Sequence, residues 1–150
     1  MARNERQIDG IDSRAVFDVL RDGAGYADWV VGTRMIRRVE PGWPRRGTAI
    51  HYTVGYGPLR KDDRTESIAY RPDETLELEA KAWPAGTVRI VLRARSQGGG
   101  TLVSIEEKPN KGLAKILHNP VFDLAIKVRN LETLKRLERK ARRRAAQTTG

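Results

Sequence analysis

The chain contains no cysteine and only two histidines, His51 and His118. The first absence excludes disulfides, thiolate metal sites and a cysteine nucleophile. The second leaves too few imidazoles for a multi-histidine zinc centre. No apolar run approaches the ~18 residues that a membrane-spanning helix needs. The opening residues Met1-Ala2-Arg3-Asn4-Glu5-Arg6 carry no apolar signal core, which predicts a cytoplasmic chain rather than a secreted one. A nucleophile elbow, a Walker loop, a dinucleotide fingerprint and a metal motif are all missing. Gly55-x-Gly57 is too short for a phosphate loop and falls inside a strand pattern. No cofactor is expected.

What remains is a chain of 150 residues, 39% hydrophobic and 32% charged, the composition of one folded domain able to bury a real core. Its net charge of +10 is unevenly spread. Residues 127–150 hold nine Lys/Arg against Glu132 and Glu138, a surplus of seven, and the rest of the chain holds only the remaining three. The body is nearly balanced. Cations near a helix C-terminus are favoured by its dipole and keep an exposed end soluble. The basic end at about 139–150 could also touch an acidic partner, RNA or an anionic membrane surface. Specific nucleic-acid recognition is not expected, because single-strand binders interleave aromatics with their basic residues and no aromatic follows Phe122.

The apolar pattern divides the chain in two. Arg6 to Ile11 reads as a first strand. Ser13 is expected to cap a helix over Arg14–Leu20, and a second short helix is expected from about Tyr26 to Val31. Six strands are then predicted: Thr33–Glu40, Thr48–Tyr56, Arg64–Tyr70, Thr75–Ala82, Val88–Arg95 and Thr101–Glu107. Gly/Pro turns separate them, and alternation gives each an apolar and a wet face. Lys111–Leu117 reads as a short amphipathic turn. Asn119-Pro120 suits a cap and first helical position, opening a run with Val121, Leu124, Val128, Leu131 and Leu134 that continues to about Ala145.

Strand, two short helices, six antiparallel strands and a long C-terminal helix is the order of the helix-grip fold, an α+β architecture with one curved seven-stranded antiparallel sheet. Several segments carry a resemblance: Tyr26-Ala27-Asp28-Trp29-Val30, Gly47-Thr48-Ala49-Ile50-His51, Val54 to Leu59, Gly99-Gly100-Thr101-Leu102-Val103, and Arg129 to Leu137. On these the chain resembles the START/Bet v 1-like (SRPBCC) superfamily, in its polyketide cyclase/dehydrase and lipid-transport branch. The resemblance spans nearly the whole chain and implies fold far more than function.

It implies a cavity between sheet and helix. Alternation and the resemblance together place Trp29, Ile50, Tyr52, Val54, Tyr70, Leu78, Ile90 and Leu92 on its walls, faced by Val121, Leu124, Ala125 and Val128 from the helix. Such a lining suits a small hydrophobic molecule, a lipid, polyketide-like or aromatic metabolite, with Tyr52 and Tyr70 as its polar contacts. Binding or transport is the first expectation, and a cyclase or dehydratase is the alternative. His51 is the one candidate proton-transfer group, yet alternation with Ile50 and Tyr52 turns it outward unless a bulge reverses the strand. His118 reads as a helix-end polar residue. Arg64 and Glu66 share the parity of Ile68, which would turn them inward; a surface role for them and for Arg34 is favoured. An exposed sheet face and a long helix could each support a homodimer.

Overall fold

The structure, a computed structural model, describes residues 2–56, 58–81, 87–109 and 120–149. Strand β1 (Ala2–Asp9) leads through Gly10 into helix α1 (Ser13–Arg21), a 3-10 turn (Gly23–Gly25) and helix α2 (Tyr26–Trp29). Six strands follow: β2 (Thr33–Val39), β3 (Ala49–Tyr56), β4 (Leu59–Arg71), β5 (Thr75–Lys81), β6 (Thr87–Gln97) and β7 (Gly100–Pro109). Helix α3 (Pro120–Thr149) closes the described chain. The expected turn at Lys111–Leu117, the Asn119 cap and His118 lie outside the described residues.

All pairings in the seven-stranded sheet are antiparallel, in the order β1-β7-β6-β5-β4-β3-β2. The hairpins from β2 to β7 lay neighbours in sequence side by side. Only β1 departs from sequence order: it pairs with β7, Ile8 opposite Thr101, while β2 forms the opposite edge. The helices α1 and α2 therefore carry the chain across one face of the sheet.

Helix α1 starts because Asp12, one residue before the expected cap, accepts from the Ala15 N–H at 2.9 Å. Ser13 is already helical. Both residue types cap well, but a carboxylate also complements the positive end of the helix dipole. The helix buries Val16, Phe17, Val19 and Leu20 against the concave sheet face, where Ile8, Ile50, Leu76, Leu78, Leu92, Val103 and Ile105 meet them in one core. Trp43, in the loop after β2, donates its indole N–H to the Leu20 carbonyl at 3.0 Å.

Strand β4 begins at Leu59, earlier than its polar Arg60-Lys61-Asp62 sequence suggests, because the backbone pairing with β3 extends to the hairpin end. It also contains a register shift between Ser67 and Ala69. Ahead of that bulge Asp63, Thr65 and Ser67 are buried. Beyond it the parity reverses and Tyr70 packs on Phe17, ring centroids 6.4 Å apart. One extra residue flips the facing of a strand, so Arg64 is exposed and Glu66 half-buried on the outer side. The inward alternative for this pair does not hold.

Helix α3 packs on α1, β1 and α2. Leu134, Leu137 and Ala141 are fully buried, and Ala145 packs against the same core. Its basic end is tied to the body. Glu138 bridges Arg6 (2.5 Å) and Arg142 (2.8 Å), Lys140 reaches Asp28 (2.8 Å), and Arg144 reaches Asp22 (2.6 Å). Part of the terminal charge is thus matched by acidic groups on or beside α1 and α2 instead of lying wholly in solvent. Among the described residues no helix is long and apolar enough to cross a membrane.

Candidate functional site

The inner face is mostly apolar, and its aromatic and charged groups gather where α2 and α3 meet the sheet. Tyr26 stacks on Tyr52 with centroids 5.8 Å apart and meets Trp29 edge-on at 5.3 Å. The Tyr52 hydroxyl shares a hydrogen bond with Thr65 Oγ1 at 2.6 Å, and both residues are buried. Burial pushes both phenols upward in pKa, against the opposing influence of Thr65 and the Arg129 charge. They therefore stay protonated at neutral pH and serve as hydrogen-bonding groups, not bases. Next to them Arg129 Nη2 donates to Glu107 Oε1 at 2.5 Å.

Beneath this corner lies a cavity of about 20 Å³, lined by Tyr26, Trp29, Val30, Leu78, Ile90, Leu92, Ile105, Arg129, Asn130 and Thr133. It is roughly the size of one water molecule. Three buried donors on its lining residues have no acceptor: Trp29 Nε1, Asn130 Nδ2 and Arg129 Nε. Asn130 is completely buried and Trp29 nearly so.

Four of the expected wall residues, Trp29, Leu78, Ile90 and Leu92, do meet around this cavity. Tyr52 stands behind it against Tyr26. Ile50 and Val54 belong to the packed core to one side. Tyr70 is drawn away from it under α1, where its hydroxyl accepts from Arg21 at 3.2 Å.

The helix contribution differs most from expectation. Leu124 is 63% exposed, Val128 58%, and Ala125 is exposed as well. The Val121 side chain lies outside those described. The phase of α3 is set by its second half, where Leu134, Leu137 and Ala141 seat on α1 and β1. One turn earlier along that stripe lie Asn130 and Thr133, both buried. Leu124, Val128 and Leu131 fall on another side of the cylinder. Reading apolar residues as inward and polar ones as outward concealed Arg129, Asn130 and Thr133, although the spacing from Leu134 and Leu137 was legible.

His51 points to the convex side. Its Nε2 lies 2.7 Å from Glu40 Oε2, and this bond holds the Glu40 carboxyl below its usual range. The bulges that would have reversed it occur in β2, not β3. His51 is therefore outside the cavity and has no catalytic position there. Arg34 is exposed on β2. Among the described residues no group of three His, Cys, Asp or Glu is placed to hold a metal ion.

No family model matches the sequence, and no curated protein matches it. Solved structures do. A protein from Nitrosomonas europaea shares 16% identity over 97% of this chain and 96% of its own, with a TM-score of 0.72. The di-domain ARO/CYC StfQ from the steffimycin biosynthetic pathway shares 9% identity over 97% of this chain and 51% of its own, TM-score 0.71. Ara h 8.0201 shares 13% over 93% and 95%, TM-score 0.65. Seven antiparallel strands curved around a core, two short helices and a long closing helix, matched over nearly the whole chain at such low identity, establish the architecture and nothing beyond it: this chain has the helix-grip fold, as those structures do.

Proposed function

We propose that the protein binds and carries a small hydrophobic molecule between the concave sheet and α3. The observation that supports this most is the cavity itself: apolar walls from Val30, Leu78, Ile90, Leu92 and Ile105 with one polar corner, the composition of a small-molecule site. As it stands the space holds no more than a water-sized occupant, so a ligand has to displace part of the lining. The first turns of α3 are the part that yields most readily. Its buried side chains, among those described, begin at Asn130, while Leu124 and Val128 before it are exposed. Among the described side chains, swinging that half outward breaks little buried contact.

The test is native mass spectrometry of protein purified without organic solvent or detergent, followed by thermal shift with apolar probes. A co-purified molecule of a few hundred daltons, or a saturable rise in Tm, is the expected result. Persistent absence of both refutes the carrier reading.

A cyclase- or dehydratase-type activity is the second reading. What favours it is Glu107, a buried carboxylate paired with Arg129 at the cavity edge. With His51 outside, that activity would rest on the Glu107 carboxylate together with the shaping of a reactive chain and the exclusion of water. A Glu107→Gln protein that keeps full ligand affinity but loses turnover would establish it.

A further inference from the structure

Buried donors without acceptors are uncommon and call for a reason, since each has lost its water partner and gained none in return. Here three belong to residues around one cavity: the Trp29 indole N–H, the Asn130 amide and the Arg129 Nε–H. Two come from side chains more than nine-tenths buried. The Asn130 amide is oriented for this, because its Oδ1 faces Arg129 Nη2 at 3.5 Å and leaves Nδ2 free. The neighbouring hydroxyls are already engaged, Tyr52 with Thr65 and Thr133 Oγ1 with the Val31 N–H at 3.4 Å. The Glu107 carboxylate is taken by Arg129 Nη2, so the three donors are left without an acceptor among the described residues.

The charge of the corner narrows the ligand further. Its cation, Arg129, is neutralised by Glu107 at 2.5 Å. A second carboxylate lies close by in buried Asp63, whose charge bears on Tyr52. An incoming anion would meet these two carboxylates and lose part of its own hydration. A neutral oxygen has two lone pairs to offer and no charge to bury. Resting on the carrier reading above, we infer that the site selects a hydrophobic ligand bearing a neutral carbonyl oxygen, held by Trp29, Asn130 and Arg129, over its hydrocarbon and carboxylate counterparts.

Three probes of matched size separate these possibilities: acetophenone, ethylbenzene and benzoate, titrated at neutral pH into the full chain by heteronuclear NMR. Acetophenone is expected to bind about tenfold more tightly than ethylbenzene, the ratio that one net buried hydrogen bond gives, and to shift the Trp29 indole and Asn130 amide protons downfield. Benzoate is expected to bind more weakly than acetophenone by a similar factor. Asn130→Leu should lower the ratio of acetophenone to ethylbenzene affinity several-fold. Equal affinity for acetophenone and ethylbenzene, or benzoate binding as well as acetophenone, overturns the carbonyl inference and leaves the carrier reading standing. Binding of none of the three overturns both. The probe series on the unaltered protein decides the matter even if the variant fails to fold.

Discussion

The bond between Tyr52 and Thr65 gives the sharpest energetic test of the interior. Both side chains are buried, the oxygens are 2.6 Å apart, and the Tyr26 phenol stands close to the same threonine. Thr65→Val removes a partner from two buried phenols and should cost about 2–3 kcal/mol, the penalty of stranding buried hydroxyls. Tyr52→Phe removes one of the two phenols beside the Thr65 hydroxyl, leaves it that of Tyr26, and should cost about 1 kcal/mol. In the double variant only the Tyr26 hydroxyl is left unpaired, because Tyr52 no longer carries one. It should be no less stable than Thr65→Val alone. The expected coupling is then at least about 1 kcal/mol, above the ~0.5 kcal/mol within which independent sites add. For a chain of this size each kcal/mol moves Tm by about 2–4 °C, so the effect is measurable by urea titration and by calorimetry. Simple additivity of the two substitutions would refute the reasoning. It would mean that water or another group already satisfies these hydroxyls.

Other expectations follow from the same structure. Leu137→Ala should cost about 2–5 kcal/mol in chemical denaturation, because a completely buried leucine leaves a cavity, whereas Leu124→Gln should stay within about 0.5 kcal/mol. Gly100→Ala should destabilise strongly and speed amide exchange throughout β1, since a Cβ at Gly100 would stand 2.3 Å from the Ile8 carbonyl oxygen. For Glu138, burial pulls the carboxyl upward, but the hydrogen bonds from Arg142 and Arg6 outweigh it and the pKa ends below normal. The stability it contributes is present above the unfolded glutamate value of about 4.3 and is lost as pH falls through the lower folded value. Tm measured against pH should accordingly drop less steeply on the acid side in Glu138→Gln than in the unaltered protein.

The sheet was readable because its signal is redundant. Leu76, Leu78 and Ala80 alternate with Glu77, Glu79 and Lys81, and the observed burial follows that alternation. Turn residues then left little freedom in strand order. Two features escaped. The bulge at Ile68 has no residue signature of its own, and it alone decides that Thr65 faces in and Arg64 out. The phase of α3 was ambiguous because Leu134 belongs to two candidate stripes. One continues through Leu131, Val128 and Leu124, and the other through Thr133 and Asn130. Packing of the small Ala141 against the body chose the second. The polar members of the site were thus hidden by a rule that sends polar residues outward, which fails where a buried pocket needs donors.

Strand β2 ends the sheet on one side and is kinked by two register shifts, at Thr33/Met35 and at Ile36/Arg38. Exposed Arg34, Arg37 and Arg38 decorate the same short strand. A border that is twisted out of plane and studded with like charges offers no straight row of amides for a foreign strand to zip onto. On this side the molecule is guarded against fibrillar stacking, and a high local concentration of the protein should not by itself seed growth from that rim.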